Sequence, residues 1–212
     1  MPFAVYRERV RAYLGEHFSF FALVAVLLGM GIIFGALTVN RLTAAEQTDL
    51  LGYLRGFIRD LHGTQPVLGA SLARDAVWTN LKTLAFLFIL GLTAIGTPLI
   101  LLVVFTRGFV LGFTVGFLVK QLTAKGFLFA LVAVVPHNLL LIPALLATAV
   151  ANLDFGLALI RSRFTRRPVL LGREFLRCLV ITGLSFSVLI LAGLVEGYVS
   201  PALMAWVAKY VL

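Results

Sequence analysis

Four long apolar runs, Phe18 to Val39, Leu81 to Phe105, Gly126 to Ala151 and Cys178 to Val195, occupy most of the chain, and an arginine-rich stretch from Arg161 to Arg177 separates the last two. Each run is close to or beyond the roughly 20 helical residues that cross a hydrocarbon layer of about 30 Å. None alternates apolar and polar residues with period two, which a transmembrane barrel requires. Within lipid the backbone must satisfy its own hydrogen bonds, so these runs are read as spanning helices. The expected fold is all-α, a polytopic helical bundle in a membrane.

Composition agrees. Hydrophobic residues make up 61% of the chain and charged residues 13%, about half the charged share of soluble domains. The net charge of +9 does not point to nucleic acid, because the basic residues crowd beside apolar runs where no nucleic-acid fold can be built. Membrane lipids with anionic headgroups are the expected partner. The first run is too long for a cleaved leader and lacks a small-x-small cleavage site, so it is expected to stay. One cysteine, Cys178, allows no internal disulfide.

Arg7, Arg9 and Arg11 precede the first run, and Arg161, Arg163, Arg166, Arg167, Arg173 and Arg177 fall before the last. The positive-inside rule places both groups in the cytoplasm, so an even number of crossings separates them. Residues 78–119 must then supply two crossings as a tight hairpin. A turn at Gly96-Thr97-Pro98 gives helices of about 18 and 22 residues but leaves Arg107 in the hydrocarbon, at a cost of about 3 kcal/mol. A turn at Thr106-Arg107 spares the arginine but shortens the second helix to about 13 residues, with a mismatch of similar cost. The first choice is adopted. It gives about five spans, at 18–39, 78–95, 97–119, 126–151 and 178–199, with the amino terminus inside and the carboxy terminus outside. The cytoplasmic basic loop is 152–177, and 1–212 form a single membrane domain.

The segment 41–77 is the one sizeable piece expected on the outer side. Thr43 followed by Glu46 is a capping-box signature for a helix start. Leu50, Leu54, Phe57, Ile58 and Leu61 then recur at spacings of three and four residues, an amphipathic helix ended by His62 to Pro66. Ser71 is expected to cap the next helix. The apolar stripe either packs on the membrane surface and its own bundle or docks an outer partner.

Glycines recur four apart at Gly31 and Gly35, at Gly108, Gly112 and Gly116, and at Gly193 and Gly197. Such ridges let helix backbones approach within lipid, either inside one bundle or between copies in a homo-oligomer. The fourth span carries Pro136, His137, Asn138 and Pro143. Both prolines remove a backbone donor, so a kink or broken helix is expected, with His137 and Asn138 bonding the freed carbonyls. With Arg107 they alternatively form a polar site at membrane depth, as in a small multi-pass transporter or channel. Nothing assembles a nucleophile, a base and an oxyanion site, so no catalytic residue, metal site or cofactor is expected, and the chain is not expected to be an enzyme. His17, Asp154 and Glu196 read as ordinary solvated residues at span ends.

A resemblance rests on ordered short motifs across nearly the whole chain. They are Phe34-Gly35-Ala36 with Val39-Asn40, Ile89-Leu90-Gly91 with Gly96 and Pro98, and Gly112 to Val119. Lys125 to Leu128, Asn138 to Ala144, and Ser200-Pro201 with Leu203-Met204 follow. Together they resemble the stage II sporulation protein M family. The resemblance implies a non-enzymatic membrane scaffold of the engulfment machinery in sporulating bacteria. Such a scaffold recruits the peptidoglycan-degrading stage II sporulation proteins D and P at the septum, in the mother-cell membrane. Wider relatives place a glutamate a few residues after the Pro-His pair, where this chain has Leu141, so His137 is expected to lack an acidic neighbour.

Overall fold

The computed structural model describes residues 15–63, 65–93, 95–164 and 171–211. Among them every regular element is helical and no strand occurs. Helix α1 covers Phe18–Thr38 and ends in a short tighter turn, Val39–Arg41. Helix α2 covers Ala44–Gly63, α3 Gln65–Gly91, α4 Gly96–Phe164, α5 Leu171–Leu194 and α6 Ser200–Val211. A wider π turn, Val195–Val199, joins the last two.

Four stretches are long and apolar enough to cross a membrane: Phe18–Arg41, Gly96–Leu122, Gly126–Ser162 and Leu171–Val207. Leu23, Val26, Ile33 and Leu37 on α1, and Leu179, Val180, Leu184 and Leu191 on α5, stay exposed, the surface that lipid rather than water suits. The expected span 78–95 differs from this set. It is the apolar end of α3, a longer helix that also carries Arg74, Asp75 and Lys82 and starts at Gln65 rather than at Ser71. Leu84, Leu87 and Leu90 nevertheless belong to the central core, with Val24, Ile100, Val104, Leu145 and Leu189.

Helix α4 is 69 residues long, about 100 Å if straight. It is folded back on itself. A Cβ at Gly126 would strike the carbonyl of Leu118, eight residues earlier and about 12 Å away along a straight helix. Ile100 and Val104 on the first limb meet Leu141, Ala144 and Leu145 on the second, the antiparallel register of a helical hairpin. The turn between α3 and α4 lies at Gly96, whose N–H donates to the Thr93 carbonyl at 3.1 Å. A Cβ there would overlap the Leu90 carbonyl, so only glycine permits this closure. Arg107 accordingly falls eleven residues inside the first limb, as the turn at Gly96-Thr97-Pro98 requires.

The expected loop 152–177 is mostly helical, because α4 continues to Phe164 and α5 begins at Leu171. Arginine is a good helix former, and the second limb's inner face stays apolar beyond residue 151, with Leu153 and Phe155 buried. At the opposite end of the bundle, the Lys120 ammonium donates to the Val39 carbonyl at 3.0 Å.

Candidate functional site

The glycine ridges set the helix spacing around the site. A Cβ at Gly31 or Gly35 would meet the carbonyls of Phe105 and Phe109, and one at Gly108 or Gly112 the carbonyls of Leu28 and Ile32. Gly116 would place its Cβ 3.0 Å from Ala36 Cα. Helix α1 and the first limb of α4 thus touch backbone to backbone. Gly193 and Gly197 do the same against Val77 and Ala73 of α3. All seven glycines are therefore occupied within the chain.

On its other side the first limb borders a cavity of about 460 Å³ between α3, both limbs of α4 and the π turn. Its polar lining comes from Asp75, Thr79, Asn80, Arg107, Thr114, His137, Asn138 and Glu196. The Arg107 guanidinium donates to Thr83 Oγ1 on α3. Asn138 is buried, and its amide nitrogen donates to the Val134 carbonyl at 2.7 Å and contacts His137 Nε2 at 2.8 Å. An amide nitrogen can only donate, so Nε2 accepts and the neutral ring carries its proton on Nδ1. Asn80 is 4% exposed, and its amide nitrogen has no hydrogen-bond partner among the described residues. Glu196 lines the same cavity as Arg107 and His137, yet it makes no ion pair within 4.0 Å among the described residues.

Three expectations change here. Of the kink or break expected at the prolines, the break does not occur: helix α4 continues through Pro136 and Pro143. The carbonyl that Pro136 frees is that of Val132, four residues back, whereas Asn138 bonds Val134. And His137 does have an acidic neighbour, Glu196, supplied by the last membrane helix instead of by position 141. Leu141 itself is a buried wall of the cavity. Pro201 accounts for the way Glu196 is presented. Its ring would clash with the carbonyl of Gly197, four residues back, and the helix widens there, with Ser200 N–H bonding the Val195 carbonyl five residues earlier.

A second polar cluster sits at the other end of the bundle. His17 is 7% exposed, its Nε2 lies 3.0 Å from Asp154 Oδ2, and the Arg177 guanidinium is 2.9 Å from the same ring nitrogen. Arg177 also reaches Glu174 at 3.4 Å. The cluster ties the starts of α1 and α5 to the second limb. His17 and Asp154 are thus partnered interior groups rather than solvated residues. Beside them Cys178 is buried and its thiol donates to Asn152 Oδ1 at 3.3 Å, which makes it part of the packing.

Of the stripe expected to dock a partner, Leu50 is half-buried and Leu54 packs against the cluster of Leu118, Phe129, Ala130, Met204 and Val207. The side chains of Phe57, Ile58 and Leu61 lie outside the described residues. No group of three His, Cys, Asp or Glu side chains placed to hold a metal ion occurs among the described residues.

The profile of the Stage II sporulation protein M family matches residues 24–201. The chain belongs to that family. Within the chain the match takes in α1 from Val24 onward, both glycine interfaces, the whole cavity and the π turn, and it ends at Pro201. It is a membrane protein of a sporulation family. No curated protein and no solved structure matches the chain.

Proposed function

We propose that the protein is a five-pass scaffold of the engulfment machinery, acting in the mother-cell membrane at the sporulation septum. In this reading it anchors and localises the wall-degrading stage II sporulation proteins D and P, and it breaks no bonds itself. The observation that carries the reading is the family match over residues 24–201 on a helical bundle with a lipid-type surface. Five passes are supported by the leucines that α3 contributes to the central core and by the tight closure at Gly96. The arginines at the start of the chain and before the last span favour an inner amino terminus, which puts 41–77 on the outer side. Conditional depletion followed by membrane staining during sporulation tests the proposal. Arrest at a flat septum is expected, and normal migration of the mother-cell membrane would contradict it.

The polar cavity favours a second reading, a small transporter with its site around Arg107, His137 and Asn138. Protein reconstituted in liposomes should then move a solute, with loss on His137→Ala. Flux indifferent to that change would count against it.

A further inference from the structure

The cavity's charges are separated rather than joined. Arg107 and Glu196 face one space, carry opposite signs and form no ion pair. The glycine contacts hold the first limb of α4 against α1, and the end of α5 with the π turn against α3, backbone to backbone. Asp75 adds a second carboxylate to the lining, and Asn80 adds a buried amide N–H that has no acceptor among the described residues. Asn80 is buried, Arg107 and Glu196 are half-buried and Asp75 is exposed. A buried donor without an acceptor is costly, and so is holding opposite charges apart in a partly desolvated space. A site that keeps them apart is built around whatever completes them.

The missing partner must offer both signs. A simple cation would satisfy Glu196 and Asp75 but would repel Arg107 and leave the Asn80 donor empty. A simple anion would satisfy Arg107 and Asn80 but would face two carboxylates. We infer that this cavity binds a small zwitterion, its carboxylate held by Arg107 and Asn80 and its ammonium by Glu196 and Asp75. The volume of about 460 Å³ lies within the range of small-molecule sites, about 300–1,000 Å³. Leu111 and Ile142 line it as well and offer an apolar wall to an aliphatic side chain. Asp75 also borders a neighbouring open groove lined by Arg74, Trp78 and Tyr198.

The inference concerns binding, and it holds whether or not the protein transports anything. The test uses the full chain in lipid nanodiscs and follows thermal unfolding with glycine, β-alanine, alanine and leucine as probes. Isoamylamine and 4-methylvalerate, which keep leucine's skeleton but carry one charge each, are the controls. At least one of the four zwitterions is expected to raise the unfolding temperature by several degrees, with an apparent affinity at least about tenfold above either single-charge control. Glu196→Gln, which preserves shape, and Asn80→Asp, which turns the donor into an anion, should each weaken that binding about tenfold or more. A response to isoamylamine equal to that of leucine would overturn the inference in favour of a plain cation site. No shift with any of the four probes would overturn it in favour of a water-filled cavity. Binding unchanged in both variants would also refute it. Because no flux is measured, failure here is distinguishable from failure of the transporter reading.

Discussion

The first limb of α4 has two sides built on opposite plans. One side carries Gly108, Gly112 and Gly116 and leaves no room for a single added carbon against α1. The other carries Arg107, Leu111 and Thr114 and borders an open polar space. In lipid, burial of apolar surface gives little reason for helices to associate, so close backbone contact must hold α1 in place. That fixed contact lets the far side stay open without collapse, because the limb cannot move across to close the gap. The His17–Asp154–Arg177 cluster sharpens the contrast. There Asp154 lies 3.0 Å from His17 and 3.9 Å from Arg177, while Arg107 and Glu196 form no ion pair with each other. A satisfied network holds helices together, and an unsatisfied one is available to something else.

The largest effect is expected from Gly112→Leu. It drives a side chain into the Ile32 carbonyl, and overpacking of this kind costs about 3 kcal/mol or more when backbone must shift. Thermal unfolding in detergent measures it, with Gly29→Ala, which meets nothing within 4 Å, as the near-neutral control. Equal stability of the two variants would break the closed side of the comparison. Next comes His17→Ala, which leaves Asp154 and Arg177 short of a buried partner and is expected to cost about 1–3 kcal/mol by the same assay. Glu196→Gln should leave the empty protein as stable as the natural chain or more so, because it removes a charge that has no ion-pair partner among the described residues. A loss as large as that of His17→Ala would mean that the cavity is a structural network too.

The smallest effect lies away from both sides, at the start of α2. Thr43 N–H donates to Glu46 Oε2 at 2.8 Å, and Glu46 N–H donates to Thr43 Oγ1 at 3.4 Å. The bonds from the Thr43 backbone and hydroxyl hold the Glu46 carboxyl below its ordinary value. Its contribution is therefore present above the unfolded-state pKa and is lost as pH falls through the lower folded one. Hydrogen-exchange protection in the first turn of α2, taken relative to the intrinsic rate at each pH, should fall across that acidic window in the natural chain. In Glu46→Gln that protection should stay constant across the same window.

Features set by local spacing were readable from the sequence. The glycines four residues apart mark contact faces, and Gly96 ahead of Thr97 and Pro98 marks a turn whose geometry admits no Cβ. The capping pair Thr43 and Glu46 is equally local. Features set by long-range meetings were not readable. His17 and Asp154 are 137 positions apart, and each alone has the look of a residue at a span end. Glu196 reads the same way, and its turn towards Arg107 depends on Pro201 widening the helix five residues later. Asn80 and Asp75 were obscured because α3 begins well before its apolar end, so their depth in the bundle is set by packing and not by hydropathy. A weak signal did exist, since a glutamate between Val195 and Gly197 ahead of Ser200-Pro201 interrupts an otherwise apolar stretch.

Orientation of the bundle decides the whole functional account, and single-cysteine labelling in intact sporulating cells reports it most directly. In a chain with Cys178→Ala, a cysteine at Asp49 should react with a membrane-impermeant maleimide, while one at Arg161 should react only after the cells are permeabilised. Labelling at Arg161 with protection at Asp49 would invert the bundle, and a scaffold reaching the wall side through 41–77 would then be contradicted.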